Sequence, residues 1–113
     1  MVRGAGRRAA FALLALACAP AVTVRPGGRS APTVFRVEAS AREVVLSGTM
    51  TGWQGRPLER RGDSFELSLD LPPGRYEYRL EVHDTTGIRL VHPRDAERVD
   101  DGFGGENAVL RVP

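Results

Sequence analysis

The single tryptophan of the chain, Trp53, lies in a glycine-flanked loop directly after a predicted strand. The loop reads Ser-Gly-Thr-Met-Thr-Gly-Trp over residues 47–53, so the indole follows polar and flexible residues rather than a buried apolar run. An indole in such a turn has two interpretations. It forms a lid over the edge of the core, or it offers a flat apolar face to a ligand, and the loop sequence favours neither.

Arg79 is the second residue whose position suggests binding chemistry. It stands between Glu77 and Glu81 in an alternating run, on the face that the alternation turns outward. The simpler interpretation is a solvated ion pair with one of these carboxylates. The alternative is a hydrogen-bond donor for a ligand, because a guanidinium presents five N–H groups.

A glycine-dense loop over residues 101–107 leads into the last predicted strand. It lacks the Lys-Ser/Thr pair of a phosphate-binding loop and begins no helix, so no nucleotide site is predicted. The spacing of Asp100, Asp101 and Glu106 matches no calcium-binding loop, which favours a solvated turn over a metal site.

Composition argues against catalysis and against several classes of partner. Among its 113 residues the chain has one Cys, two His and no Lys, and all 16 of its cationic residues are Arg. An internal disulfide, a thiolate zinc site and lysine chemistry are therefore ruled out, and no Ser-His-Asp or Cys-His arrangement is indicated. We predict no enzyme activity, metal or cofactor. Removal of an N-terminal segment with three Arg would leave 13 Arg against 14 acidic residues, a net charge of −1, so no nucleic-acid partner is expected.

That N-terminal segment, residues 1–17, has the organisation of a secretory signal peptide. Met1 to Arg8 carries three arginines and no acidic residue, and Ala9 to Ala17 is an unbroken apolar run. A run of this length is too short to span a membrane, which takes about 20 residues. A buried N-terminal helix would need polar positions on one face, and this run has none. The sequence therefore predicts export.

Residues 15–18, Ala-Leu-Ala-Cys, resemble a bacterial lipobox in which Cys18 is the lipidated residue. An ordinary signal peptidase cutting after Ala17 or Ala21 is the alternative. If Cys18 is lipidated, we expect a membrane-anchored lipoprotein in the periplasm or at the cell surface. Otherwise we expect a secreted or periplasmic protein. Residues 18–32 are rich in Pro, Gly, Ser and Ala, which predicts a flexible tether.

Residues 33–113 are predicted to form one all-β domain that presents these residues. Residues 64–71 alternate with Phe65, Leu67, Leu69 and Leu71 on one face, and residues 75–82 repeat the period after Pro-Pro-Gly. These two runs predict an antiparallel hairpin. Further short apolar runs indicate six or seven strands in a small antiparallel β-sandwich; they cover residues 33–37, 43–47, 88–91 and 108–112.

Several motifs occur in an order and spacing that resemble carbohydrate-binding module family 48, the early-set, immunoglobulin-like domain found in glycogen branching and debranching enzymes and in the AMP-activated protein kinase β subunit. The resemblance spans nearly all of residues 33–113. The matching pieces are Val45–Trp53, Pro57-Leu58, Phe65, Leu71–Arg79, His92-Pro93 and Gly102–Leu110.

The resemblance implies a sugar-binding site made of Trp53, Arg79 and Asn107. An indole covers the C–H face of a glucose ring, while Arg and Asn hydrogen-bond its hydroxyls. The position of the family's second aromatic, counted back from His92-Pro93, falls on Arg89, so we expect one stacking platform and weak binding.

Two functions follow as hypotheses. The first is a non-catalytic module that binds an α-glucan polysaccharide or oligosaccharide such as glycogen or starch, with the membrane reached only through the lipid anchor. The second is a protein-interaction or structural module that kept the fold and lost the ligand, and its partner would be another protein.

Overall fold

The computed structural model describes residues 19–113, so the predicted signal peptide and Cys18 lie outside the described residues. Within that range the chain forms ten β-strands and a single-turn 3₁₀ helix, Thr49–Thr51. The strands are β1 (Ala21–Arg25), β2 (Thr33–Glu38), β3 (Glu43–Gly48), β4 (Arg56–Pro57), β5 (Glu59–Arg61), β6 (Ser64–Leu69), β7 (Gly74–Asp84), β8 (Gly87–Val91), β9 (Glu97–Asp100) and β10 (Glu106–Val112).

The strands form two antiparallel sheets, which confirms the predicted all-β sandwich. One sheet has the order β1-β2-β6-β5, and the other has the order β4-β3-β7-β10-β9 with β8 also paired to β7. No helix in residues 19–113 is long and apolar enough to cross a membrane.

The core lies between the sheets and is built by the period-2 alternation of each strand. Strand β7 contributes Tyr78, Leu80 and Val82, and the ring of Tyr78 meets that of Phe35 edge to face at 5.5 Å between centroids. Burial of Tyr78 raises the pKa of its hydroxyl to about 12. The alternate residues of β7 consequently face outward, which places Arg79 on the outer surface, as the alternation predicts.

The predicted hairpin between residues 64–71 and 75–82 is wrong. Strand β6 pairs with β2 and β5, whereas β7 pairs with β3, β8 and β10, so the two runs belong to opposite sheets. The inward phase is confirmed, because Phe65 is buried and Leu67 is half-buried against the core. Pro72 and Pro73 have no N–H to extend a ladder, and the chain crosses here from one sheet to the other.

The tether prediction for residues 18–32 is also wrong over Ala21–Arg25, which forms strand β1. This strand pairs with β2 along its whole length, from Ala21 opposite Glu38 to Arg25 opposite Val34. Val22 and Val24 alternate with polar neighbours and pack against the core. Burial of two valines and a full ladder of backbone hydrogen bonds offset the cost of ordering these residues.

Candidate functional site

The loop that carries Trp53 is fixed to the outer face of β7. The hydroxyl of Thr49 accepts a hydrogen bond from the Glu77 N–H at 3.1 Å, and the Trp53 N–H donates to the Gly48 carbonyl at 2.8 Å. Gly48 is required here, since a Cβ would collide with the Glu77 carbonyl oxygen and the Tyr78 backbone. The loop sequence thus holds the indole above the middle of β7.

Trp53 itself is 40% exposed and has a φ of 62°, the only positive φ of a non-glycine residue in the described range. A bulky residue in the left-handed region costs free energy, and such strain is commonest at functional sites. Trp53 is therefore not a buried core residue, and part of its indole is open to solvent.

Arg79 lies directly beside this indole. Its guanidinium carbon is 5.4 Å from the centroid of the Trp53 ring, within the range of a cation–π contact. Within residues 19–113 the flanking carboxylates have other partners, Arg75 for Glu77 and His83 for Glu81, so the predicted ion pair is not formed. The Arg79 Nε is buried and has no hydrogen-bond partner among the described residues.

Asn107, on β10, approaches the same place from the neighbouring strand. The residue is 5% exposed, and its Nδ2 donates to Glu77 Oε1 at 3.2 Å. This hydrogen bond and those from Arg75 hold the pKa of the Glu77 carboxyl below its usual value. The Asn107 Oδ1 is buried without a partner in the described range. The Asn107 Oδ1 and the Arg79 Nε are thus two buried polar atoms without a hydrogen-bond partner among the described residues.

Phe103 completes the site, and the sequence analysis missed it. The Asp101 carboxylate accepts hydrogen bonds from the backbone N–H of Phe103 at 2.7 Å and of Gly105 at 3.0 Å, which lowers the pKa of Asp101. Phe103 is 94% exposed at the tip of this glycine-dense loop. The sequence signal for Phe103 is an apolar ring placed between glycines in a loop that matches neither a phosphate-binding nor a calcium-binding motif.

The side chains meet in one pocket of about 370 Å³ on the outer face of the larger sheet. The three predicted residues are thus brought together, with Phe103 and two carboxylates around them. The residues that line this pocket are Trp53, Glu77, Arg79, Asp101, Phe103 and Asn107.

The pairing of β8 with β7 corrects the position that corresponds to the family's second aromatic residue. Arg89 lies opposite Val82, a core residue, and its guanidinium pairs with Asp84 at 3.1 Å. Leu90 instead lies opposite Glu81, on the face of Arg79, and is 54% exposed. Counting back from His92-Pro93 therefore selected the wrong face of β8. Leu90 and Arg79 line an adjacent cleft of about 600 Å³ between β8 and β10.

The pocket combines a flat apolar face with polar and charged groups. The exposed indole of Trp53 supplies the apolar face, and Arg79, Asn107 and the carboxylates of Glu77 and Asp101 supply the polar groups. No group of three His, Cys, Asp or Glu in residues 19–113 is arranged to hold a metal ion.

Residues 31–113 match the family described as the glycogen recognition site of AMP-activated protein kinase. The chain is 38% identical over 91 residues to the AMP-activated protein kinase subunit beta-1 of Sus scrofa, covering 80% of this chain and 71% of the relative. It is 38% identical to that of Rattus norvegicus over 80% of this chain and 32% of the relative. It is 41% identical to that of Bos taurus over 72% of this chain and 28% of the relative. The chain thus spans about a third or less of the rat and bovine relatives.

The family match covers every described strand except β1, and it includes all the pocket residues. It agrees with the ordered motifs, which resembled the same type of module. The chain therefore belongs to the family of the glycogen recognition site of AMP-activated protein kinase.

Proposed function

We propose that this protein is a non-catalytic module that binds α-glucan chains of the glycogen or starch type through Trp53, Arg79 and Asn107. The observation that carries the proposal is the pair of buried, unpartnered polar atoms beside an exposed indole. A buried polar atom without a partner costs free energy, so both atoms are satisfied best when a ligand is present.

A glucose ring has the complementary chemistry. Its C–H face covers an indole, and its hydroxyls both donate and accept, so they can serve Asn107 Oδ1 and Arg79 Nε. Phe103 and Leu90 add exposed apolar surface on either side of Arg79. An α-linked chain that crosses Arg79 would contact both surfaces.

The test is retention of the described domain on immobilised glycogen and amylose. We expect a dissociation constant in the high-micromolar to millimolar range, about −4 to −6 kcal/mol, because few rings are stacked. Cellulose is the matched control, since it is a glucose polymer with β-linkages and a flat chain. Equal retention on cellulose, or none on glycogen and amylose, would refute the proposal.

The names of the relatives favour a protein-interaction module as the second candidate. They are subunits of a kinase, and the matched region covers only 32% of the rat protein and 28% of the bovine protein. In that case the pocket would be a remnant, and the wild-type domain would not be retained on any glucan. Retention on glycogen therefore distinguishes the two candidates.

We further propose that the module is exported and anchored through Cys18. The support is the basic start, the apolar run and the small residues before the cysteine. Cys18 precedes β1 by three positions, so an anchor there would leave only two residues between the lipid and the sandwich. The domain would then lie directly against the membrane surface.

Replacement of Cys18 by Ser is expected to move the protein from the membrane fraction to the soluble fraction, or to block its processing. Serine has no thiol to carry the lipid, so the variant would lose the proposed anchor. The measurement is fractionation of cells expressing the full chain, with Ser30→Ala as a control for an unrelated hydroxyl change. Unaltered membrane partitioning of Cys18→Ser would disprove lipidation and leave export open.

A further inference from the structure

Asn107 lines the pocket; a carboxylate holds one side of its amide, and the other side is buried. Its Nδ2 donates to Glu77 Oε1, and its Oδ1 has no partner in the described residues. An ionised carboxylate only accepts hydrogen bonds. The reverse orientation of the amide would set Oδ1 against Glu77 Oε1, two acceptors in contact at a buried position.

Glu77 is itself fixed at three points. Its Oε2 accepts from Arg75 at 2.9 Å, its Oε1 accepts from Asn107, and its backbone N–H donates to Thr49 in the Trp53 loop. The carboxylate therefore cannot turn away from Asn107 without loss of the Arg75 ion pair. Glu77 also lines the pocket, but both of its carboxylate oxygens already accept hydrogen bonds from Arg75 and Asn107.

We propose that Glu77 is a positioning residue that locks the orientation of the Asn107 amide, so that a ligand that uncovers its buried side meets an acceptor and never a donor. This inference rests on the proposed glucan-binding function. A ligand hydroxyl then accepts from Arg79 Nε and donates to Asn107 Oδ1, or two neighbouring hydroxyls share these bonds. The site would select ligands that carry a hydroxyl donor there.

The lock follows from the difference between a carboxylate and an amide. In a Glu77→Gln variant the Gln side chain can present either its oxygen or its NH₂ group to Asn107. Both orientations of Asn107 then become available, so the pocket can offer NH₂ as well as oxygen. The size and shape of residue 77 remain almost unchanged.

The first experiment uses the ligand-free protein and needs no glucan. Hydrogen exchange of the two Asn107 side-chain amide protons is followed by NMR in wild type, Glu77→Ala and Glu81→Gln. One proton should exchange at least about tenfold more slowly in wild type and in Glu81→Gln than in Glu77→Ala. Glu81 is the matched control, because it is another outward carboxylate of β7 and contacts His83 instead. Equal exchange in all three proteins would overturn the lock.

The second experiment measures how strongly the site distinguishes a donor from an acceptor. Maltose and its 2-fluoro and 3-fluoro analogues are titrated into wild type and Glu77→Gln, since fluorine does not donate a hydrogen bond. Wild type should bind one analogue about tenfold more weakly than maltose, and Glu77→Gln should reduce that penalty to about threefold or less.

An unchanged penalty in Glu77→Gln would overturn the inference while leaving glucan binding intact. If wild type binds no maltose but Asn107 exchange depends on Glu77, the lock exists and the proposed glucan function fails. If Glu77→Gln loses secondary structure by circular dichroism, Arg75→Gln is used instead. That change frees the carboxylate to turn and should weaken the discrimination in the same direction.

Discussion

Trp53→Ala is expected to abolish measurable retention on glycogen and to lower thermal stability only slightly. The indole is the aromatic face beside Arg79, and the loss of its contact with a sugar ring removes a large part of a binding free energy of only about −4 to −6 kcal/mol. Because Trp53 belongs neither to the hydrophobic core nor to the residues packed against it, its loss leaves the core packing intact. Loss of the cation–π contact with Arg79 is expected to lower the free energy of unfolding by only about 0.5–1 kcal/mol.

The measurement is affinity electrophoresis in glycogen together with a thermal melt of each variant. Trp53→Phe keeps a ring and should retain part of the binding, and Phe103→Ala should weaken it to a smaller extent. Ile88→Ala is the control, since Ile88 is 61% exposed but lies outside the pocket. If Trp53→Ala unfolds the domain, the indole is a structural lid; if it binds glycogen normally, the site lies elsewhere.

The alternation in the sequence predicts which side of a strand is buried but not which strand it pairs with. Phe65 and Tyr78 are buried as predicted, yet their strands lie in different sheets. An alternation with a period of two shows only which side of a strand is buried. Because both sheets of a sandwich bury one face, the alternation does not show to which sheet a strand belongs. The Pro-Pro-Gly segment is compatible with a hairpin turn, but two prolines at the end of a ladder are equally compatible with a crossing between sheets.

The sequence predicts a site residue when its position depends on a short local motif. It does not predict a site residue whose position depends on the pairing register of two strands. Arg79 follows the alternation of β7, and Trp53 follows the glycines of its loop. Which residue of β8 lies on the same face as Arg79 depends on the register between β7 and β8, in which Leu90 pairs with Glu81. The length of the loop between the two strands sets that register, and counting residues back from His92-Pro93 does not reveal it. Phe103 depends on a loop held by Asp101.

Leu80→Ala is expected to destabilise the domain by about 3–5 kcal/mol, most of the stability of many domains of this size. Leu80 is 0% exposed and lies between the sheets at the centre of β7. Truncation leaves a cavity that the rigid strands on either side cannot close. Urea unfolding followed by circular dichroism measures the change.

Leu67→Ala is the matched comparison, because the same atoms are removed from a half-buried position on β6. We expect a loss of about 1–2 kcal/mol there, since part of the side chain is already in water. Equal losses at Leu67 and Leu80 would contradict the burial difference between β6 and β7. Leu80 also adjoins Arg79 in the chain, so a cavity beneath β7 would loosen the strand that carries the guanidinium. We therefore expect Leu80→Ala, but not Leu67→Ala, to weaken glycogen binding even at temperatures where both variants remain folded.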